Sequence, residues 1–379
     1  MPSQPHKTRV VFSVTSSICY DQRVLKMAET VSSLGCEITI VGRKTGDCCN
    51  DNSVPFRTVR FRMLFKRGFL FYKFYNIRLF IYLLFSKYDL LVSNDLDTLL
   101  PNFLVSILKR VPLVYDSHEY FTGIPEIQNR PFVKWVWKSI EKIIFPRLQH
   151  VITVSDSIAA QYEKEYGLRL LTVRNCSRKA NHVIPLPRKE LGVNEDHLLL
   201  ILQGTGINME RGGEELVEAV SQTENVSLLI IGSGDLLEIL KRRVVEMDIS
   251  ERVKFKSKMP WQDLIQYTKS ADVGLSLDKN TNQNYRFSLP NKLFDYISAG
   301  IPVIACDLPE VRNIVLENGC GIIIDKVTPE LISRALLELK DNPGKLAELR
   351  RNAVVAAENL NWDMESEKVI ELYSKVLNY

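Results

Sequence analysis

Short runs of Val, Ile and Leu recur along the chain, each followed by a longer stretch with apolar residues at helical spacing. In the first half they fall at residues 9–14, 37–41, 90–93, 113–115, 151–154 and 170–173; in the second half at 198–203, 226–231, 253–255, 273–276, 302–305 and 321–324. Continuously apolar runs separated by helix-length segments predict parallel sheets covered on both faces. Six strands in each half predict an α/β chain of two doubly wound domains. Residues 177–194, with Pro185, Pro187 and no clear period, read as the linker. The expected divisions are 1–180, 181–360 and a terminal amphipathic helix in 361–379 that either caps one domain or returns to the first. Open parallel sheets take ligands at the carboxyl ends of their strands. Two such domains facing each other form a cleft, and residues just after strands are the ones to inspect.

Composition narrows the class only a little. The 379 residues are 45% hydrophobic and 25% charged, which is ordinary for a globular chain, and a net charge of +4 does not argue for nucleic acid. The first eight residues are short and polar, and 10–14 is too brief for a signal-peptide core, so no leader is expected. The seven cysteines are scattered without CxxC spacing, so neither a zinc site nor a disulfide framework is expected, and a reducing cytoplasm fits. No histidine pattern supports a metal.

The most informative stretch runs from Ser288 through Leu289, Pro290, Asn291, Lys292 and Asp295 to Gly300 and the strand after it. Proline near a helix start and glycine past its end predict a helix between them. Its first-turn N–H groups can bind an anion, with Lys292 adding a full charge. Asp295, four residues after Asn291, lies on the same helix face and suits the hydroxyls of a ribose. After the strand at 198–203 comes Gly204-Thr205-Gly-Ile-Asn-Met-Glu-Arg211-Gly-Gly213, where glycines let the backbone approach a ligand and Arg211 can clasp a phosphate. Gly232-Ser-Gly234 is a weak GxG that reads as clearing space for a base. At another strand end His118 stands between Asp116 and Glu119, either bonding a sugar hydroxyl or satisfied by those carboxylates. Tyr20, Asp21 and Arg23 either line an acceptor pocket or, for Asp21, cap a helix. Asp95-Leu-Asp97 is a DxD that can hold a cation, but Asp97 reads better as a helix cap.

Residues 52–88 lack any acid, and eight Lys and Arg side chains interleave there with aromatics from Phe56 to Phe85. This suits an anionic membrane surface, spanning residues 56–88. Single-stranded nucleic acid fits the same composition less well. Packing of the aromatics as core is the third possibility.

Together these elements resemble glycosyltransferase family 4, over nearly the whole chain. The likeness is strongest in Gly204–Gly213, in 288–305, in Tyr20-Asp-Gln-Arg-Val24 and in Val114-Tyr-Asp-Ser-His-Glu119. The resemblance implies the GT-B fold, two facing Rossmann-like domains with an interdomain cleft. It implies retaining transfer of a hexose-type sugar from a nucleotide sugar to a glycan acceptor, without metal or other cofactor. Arg211 and Lys292 then hold the diphosphate, Asp295 the ribose, and His118 sits near the transferred sugar. Gly204, Thr205, Gly232 and Ser288–Asn291 complete the donor side, while Tyr20, Asp21, Arg23, Asp95 and Glu119 face the acceptor. The basic aromatic segment points to a lipid-linked acceptor and to a cytoplasmic protein peripheral on the inner face of a membrane, with no nucleic-acid partner. Two positions depart from the family pattern: Phe287 stands where an acid is usual, and Thr205 where a basic residue is common. A 2-epimerase or hydrolase of the same fold, or a non-catalytic nucleotide-sugar-binding subunit, therefore stays open.

Overall fold

The structure is a computed structural model that describes residues 7–44 and 54–377. The chain divides into two compact units, Met1–Arg174 with Glu365–Tyr379, and Asn175–Met364. Residues 177–194, expected as a linker, therefore belong to the second unit.

The first unit holds a seven-stranded parallel sheet of β1 (Arg9–Ser13), β2 (Glu37–Arg43), β3 (Arg57–Phe61), β4 (Leu90–Asn94), β5 (Leu113–Ser117), β6 (His150–Thr153) and β7 (Leu171–Thr172). Their order is β3-β2-β1-β4-β5-β6-β7, so the strand order reverses between β1 and β4. The edge strand β3 has no counterpart in the sequence pattern: Arg57-Thr-Val-Arg-Phe61 is half-exposed and carries two arginines. The last helix, Trp362–Leu377, joins this unit from Glu365 on. There the Glu365 carboxylate accepts from the Arg174 N–H at 2.9 Å, and Tyr373 is fully buried.

The second unit holds six parallel strands: β8 (Leu198–Gly204), β9 (Val226–Gly232), β10 (Val253–Ser257), β11 (Val273–Ser276), β12 (Val303–Cys306) and β13 (Gly321–Ile324). The order β10-β9-β8-β11-β12-β13 reverses between β8 and β11. Period-two alternation sends Leu199 and Ile201 of β8 into one core, and Leu198, Leu200 and Leu202 into the other. Both sheet faces are therefore covered, as continuous apolar runs require.

Each sheet thus has one switch point, where a crevice opens beyond the strand ends. Cys19 is disulfide-bonded, contrary to the expectation of no disulfide. Cys36, Cys176, Cys306 and Cys320 are free and buried.

Candidate functional site

In the second unit the chemistry collects where β8 and β11 end. Helix Asn291–Ala299 starts after Pro290 and stops at Gly300, which is left-handed at φ 72°. Tyr296 anchors the helix to the sheet. Its ring lies over Gly274 of β11, where an added Cβ would come within 2.2 Å of it. Its buried hydroxyl sits 3.3 Å from the Ile201 carbonyl and 3.2 Å from that of Leu275. Pro290 offers no side-chain cap, which leaves first-turn N–H groups for an anion. Among the other donor-side positions of this turn, Leu289 is buried, the Ser288 hydroxyl donates to the Tyr285 carbonyl at 2.9 Å, and Asn291 Oδ1 accepts from Asn175 at 2.7 Å.

The loop after β8 is locked to the turn after β9. The Ser233 N–H donates to the Gly204 carbonyl at 3.1 Å, and the Ile207 N–H to the Ser233 carbonyl at 3.0 Å. A Cβ at Gly232 would lie 1.8 Å from the Gly204 carbonyl oxygen, and one at Gly234 2.1 Å from that of Ile207. The GxG turn therefore clears room for a neighbouring backbone, that of the first glycine loop. Thr205 is exposed on that loop.

Arg211 is brought back over the strand ends. Its guanidinium stacks on the Tyr285 ring at 4.9 Å, and Nη1 lies 3.4 Å from Asp278 Oδ1. Lys292 Nζ, nearly buried, lies 3.2 Å from Asp278 Oδ2. Burial pulls the Lys292 pKa down, the Asp278 carboxylate pulls it back up, and Arg211 pushes it down again. Two cations and a helix N-terminus thus converge at one strand-end crevice. Asp278 lies two residues after β11 and was not singled out from the sequence.

Asp295 is buried and its oxygens accept from Ser177 Oγ at 2.5 Å, Trp261 Nε1 at 2.8 Å and Gln203 Nε2 at 2.9 Å. A ribose hydroxyl would have to share a carboxylate already serving three donors.

In the first unit a second polar cluster lies at the β1/β4 switch point. Asp21 caps helix Gln22–Ser33 by accepting from the Val24 N–H at 3.1 Å, and its other oxygen takes the Ser16 hydroxyl at 2.6 Å. Tyr20 precedes it in a short 3₁₀ turn. Arg23, expected to face an acceptor, is instead buried against Asp116, with Nη2 2.6 Å and Nε 2.9 Å from its oxygens and Nη1 donating to the Val173 carbonyl at 2.8 Å. Its fork is fully used, so it is part of the scaffold. Helix Leu96–Lys109 begins earlier than expected, and its N-cap is Asp95, not Asp97. Asp95 adopts φ 59°, unusual for a non-glycine residue. This places its carboxylate on His118: Oδ1 takes the His118 N–H at 2.8 Å, and Oδ2 lies 3.2 Å from Nδ1. His118 Nε2 lies 3.4 Å from Asp116. Burial disfavours a charged imidazole, but Asp95 and Asp116 outweigh it and lift its pKa to about 9. Near neutral pH the ring is a cation and not a base. Asp97 bonds the Thr15 hydroxyl, and burial with Asp95 nearby raises its pKa to about 8. A largely protonated acid suits cation binding poorly. Glu119 is half-buried, with its carbonyl accepting from Ser117 Oγ at 2.9 Å.

Comparison with known proteins places these clusters in a family context. Residues 22–175 match the family described as "Glycosyltransferase Family 4", and residues 186–358 match "Glycosyl transferases group 1". A chitobiosyldiphosphodolichol beta-mannosyltransferase of Candida albicans is 24% identical over 282 residues, 67% of this chain and 60% of that protein. A D-inositol 3-phosphate glycosyltransferase of Thermomonospora curvata is 26% identical over 199 residues, 49% of this chain and 45% of that protein. The matches thus span less than two thirds of these relatives' own length. Among solved structures, an Anabaena HepE complex with UDP-glucose aligns with TM-score 0.77 at 15% identity, over 97% of this chain and 99% of that one. The sucrose-phosphate synthase of Thermosynechococcus elongatus aligns with TM-score 0.76 at 16% identity, over 98% of this chain and 100% of that one. At such identity these structures bear on the fold, which is the pair of Rossmann-like domains of GT-B proteins.

Proposed function

Because the chain belongs to glycosyltransferase family 4, we propose that it is a retaining glycosyltransferase. It moves a hexose-type sugar from a nucleoside-diphosphate sugar to a glycan acceptor carried on a lipid. One observation carries the reading: Arg211, Lys292 and the N-terminus of helix Asn291–Ala299 converge beyond β8 and β11. Negative charge grows on the diphosphate as the sugar–phosphate bond breaks, and fixed cations with a helix end stabilise it most in the transition state. That charge is supplied by side chains, so a divalent cation is not required. The acceptor oxygen forms the new bond to the anomeric carbon while its proton passes to a leaving phosphate oxygen. In the first unit the His118 imidazolium, Tyr20, Asp21, Asp95 and Glu119 are the groups proposed for the acceptor side. The assay is release of nucleoside diphosphate from a panel of nucleotide sugars, with and without a membrane extract as acceptor. Acceptor-dependent release with label entering the lipid fraction supports transfer. Steady consumption without acceptor would instead support an epimerase or hydrolase.

The lipid-linked acceptor is supported by one surface of the first unit. Helix Gly68–Phe85 is the one helix among the described residues long and apolar enough to cross a membrane, with only 22% of it buried. Its inner seam, Phe71, Tyr75, Leu79 and Leu83, packs into the unit, and the Tyr75 hydroxyl bonds the Val14 carbonyl. That attachment fits a helix lying on the surface. Phe69, Phe74, Ile77, Ile81 and Phe85 point outward, beside exposed Lys73, Arg78 and Lys87. Apolar residues flanked by cations suit a layer of anionic headgroups. The protein should sediment with vesicles containing anionic phospholipid and not with neutral ones. Replacing Phe74, Ile77 and Ile81 together by Ser should lower that partitioning by about a hundredfold or more, each apolar side chain removed taking away roughly a kcal/mol or more of burial. Equal binding of both vesicle types, or of the variant, would remove the membrane part of the proposal.

A further inference from the structure

Asp278 stands where a diphosphate-binding pocket has least use for a negative charge. It follows β11 by two residues, is 1% exposed, and touches both cations of the crevice. Its oxygens lie 3.4 Å from Arg211 Nη1 and 3.2 Å from Lys292 Nζ, and neither has a conventional hydrogen-bond partner among the described residues. A buried carboxylate is costly unless paired. Conversely, two cations converging on one point, Lys292 nearly buried and Arg211 about a third exposed, repel each other unless an anion separates them. The slightly long contacts describe charges held in place without the tight hydrogen bonds that would resist exchange for another anion.

We propose that Asp278 is a positioning residue of the diphosphate site, an internal anion that keeps Arg211 and Lys292 convergent and Lys292 charged until the donor phosphates replace it. This rests on the donor site described above. It adds a role to a residue outside the motifs that identify the family, and it carries a cost: the carboxylate also repels the incoming phosphates. Asp278 therefore favours an ordered, charged site over the tightest binding.

The groups facing Lys292 make the consequence specific. Asp278 and Arg211 act on it directly, with opposite signs, after burial itself. Tyr285 lies under Arg211, and Lys279 is paired with Glu215 at 2.6 Å. Burial raises Cys306 to about 11 and Tyr296 above its ordinary range, so neither titrates between pH 7 and 9.5. Asp295, one turn along the helix, is held by Gln203, Ser177 and Trp261. Phosphates bind best to protonated Lys292, so affinity is level below its pKa and falls as pH rises above it. Without the Asp278 charge that fall begins at lower pH.

The experiment is titration of UDP, GDP, ADP and dTDP calorimetrically between pH 7 and 9.5, using the full chain. Whichever binds the wild type is then measured with Asp278→Asn, Lys292→Arg and the double variant. The expected result is that Asp278→Asn moves the alkaline fall in affinity down by about one pH unit or more. Lys292→Arg, which does not titrate in this range, should flatten the fall in both backgrounds. An unmoved fall in a folded Asp278→Asn protein overturns the proposal. If that variant does not fold, a wild-type fall that survives Lys292→Arg overturns it instead. Failure of wild type to bind any of the four nucleotides sinks the donor-site reading itself, a different outcome from binding without the shift.

Discussion

Arg211→Ala is expected to lower kcat/KM for the nucleotide sugar by roughly 10²- to 10³-fold, the usual consequence of removing one fixed group that meets developing charge. The size follows from where the guanidinium sits. It stacks on Tyr285, meets Asp278 at 3.4 Å, and retains about a third of its side-chain surface, so it is ordered yet reachable. Truncation leaves Lys292 alone with Asp278, and the pair then offers a diphosphate little net charge. Because the stabilised charge grows during bond breaking, kcat should fall along with affinity. The unliganded fold should stay intact, since the Arg211 side chain lies at the crevice and not in either core. Melting temperature without ligand and steady-state kinetics separate the two effects. A wild-type kcat/KM in a folded Arg211→Ala protein would contradict the role given to this residue.

The second large effect concerns stability. Arg23→Ala strips the buried Asp116 carboxylate of the guanidinium that meets it at 2.6 Å, in a pair with side chains 2% and 0% exposed. Removing one member of a buried pair typically costs about 3–5 kcal/mol, because the other charge stays behind. For a unit of this size that is a fall of roughly 10 °C in melting temperature. The pH dependence of wild type has two sides. Burial works against the Asp116 charge, but Arg23 and His118 outweigh it and lower its pKa to about 2. Its contribution is therefore present above the ordinary carboxylate range and is lost as pH falls toward 2. The raised pKa of His118, about 9, acts in the opposite direction. Its contribution is complete below about pH 6.5 and is lost as pH rises through 9. Thermal unfolding from pH 3 to 10 should show the first unit weakening at both ends, and His118→Phe should remove the alkaline decline. A decline that persists in that variant would assign it to another group.

How much of this was legible in the sequence depends on how local each cause is. Strand and helix succession was legible, because burial on both faces writes itself as unbroken Val, Ile and Leu. Helix Asn291–Ala299 was legible from Pro290 and Gly300, whose backbone preferences act on the spot. The edge strand β3 was not: exposed on its rim, it carries Arg57, Thr58 and Arg60 among only two apolar residues and merges with the basic aromatic stretch after it. Arg23 was misread because its partner Asp116 lies 93 positions away, and nothing local distinguishes a buried arginine from a binding one. Asp97 was misread as the cap because the left-handed backbone of Asp95 starts the helix earlier than composition suggests. Gly232 and Gly234 looked like ligand-facing turns, yet what they admit is the backbone of another loop. Asp278 carried no motif at all; its importance comes from two cations reaching it from elsewhere in the fold.

The first measurement to make is thermal unfolding of the wild type and Arg211→Ala with UDP, GDP, ADP, CMP and dTDP, each with and without Mg²⁺. A nucleoside diphosphate at about 100 times its dissociation constant should stabilise the protein by about 2.7 kcal/mol, which is a shift of several degrees. The expected result is a clear response to one diphosphate, equal with and without the metal, and absent in Arg211→Ala. No response to any of the five, or one that requires Mg²⁺ and survives the loss of Arg211, would contradict a nucleotide-sugar site built on Arg211 and Lys292.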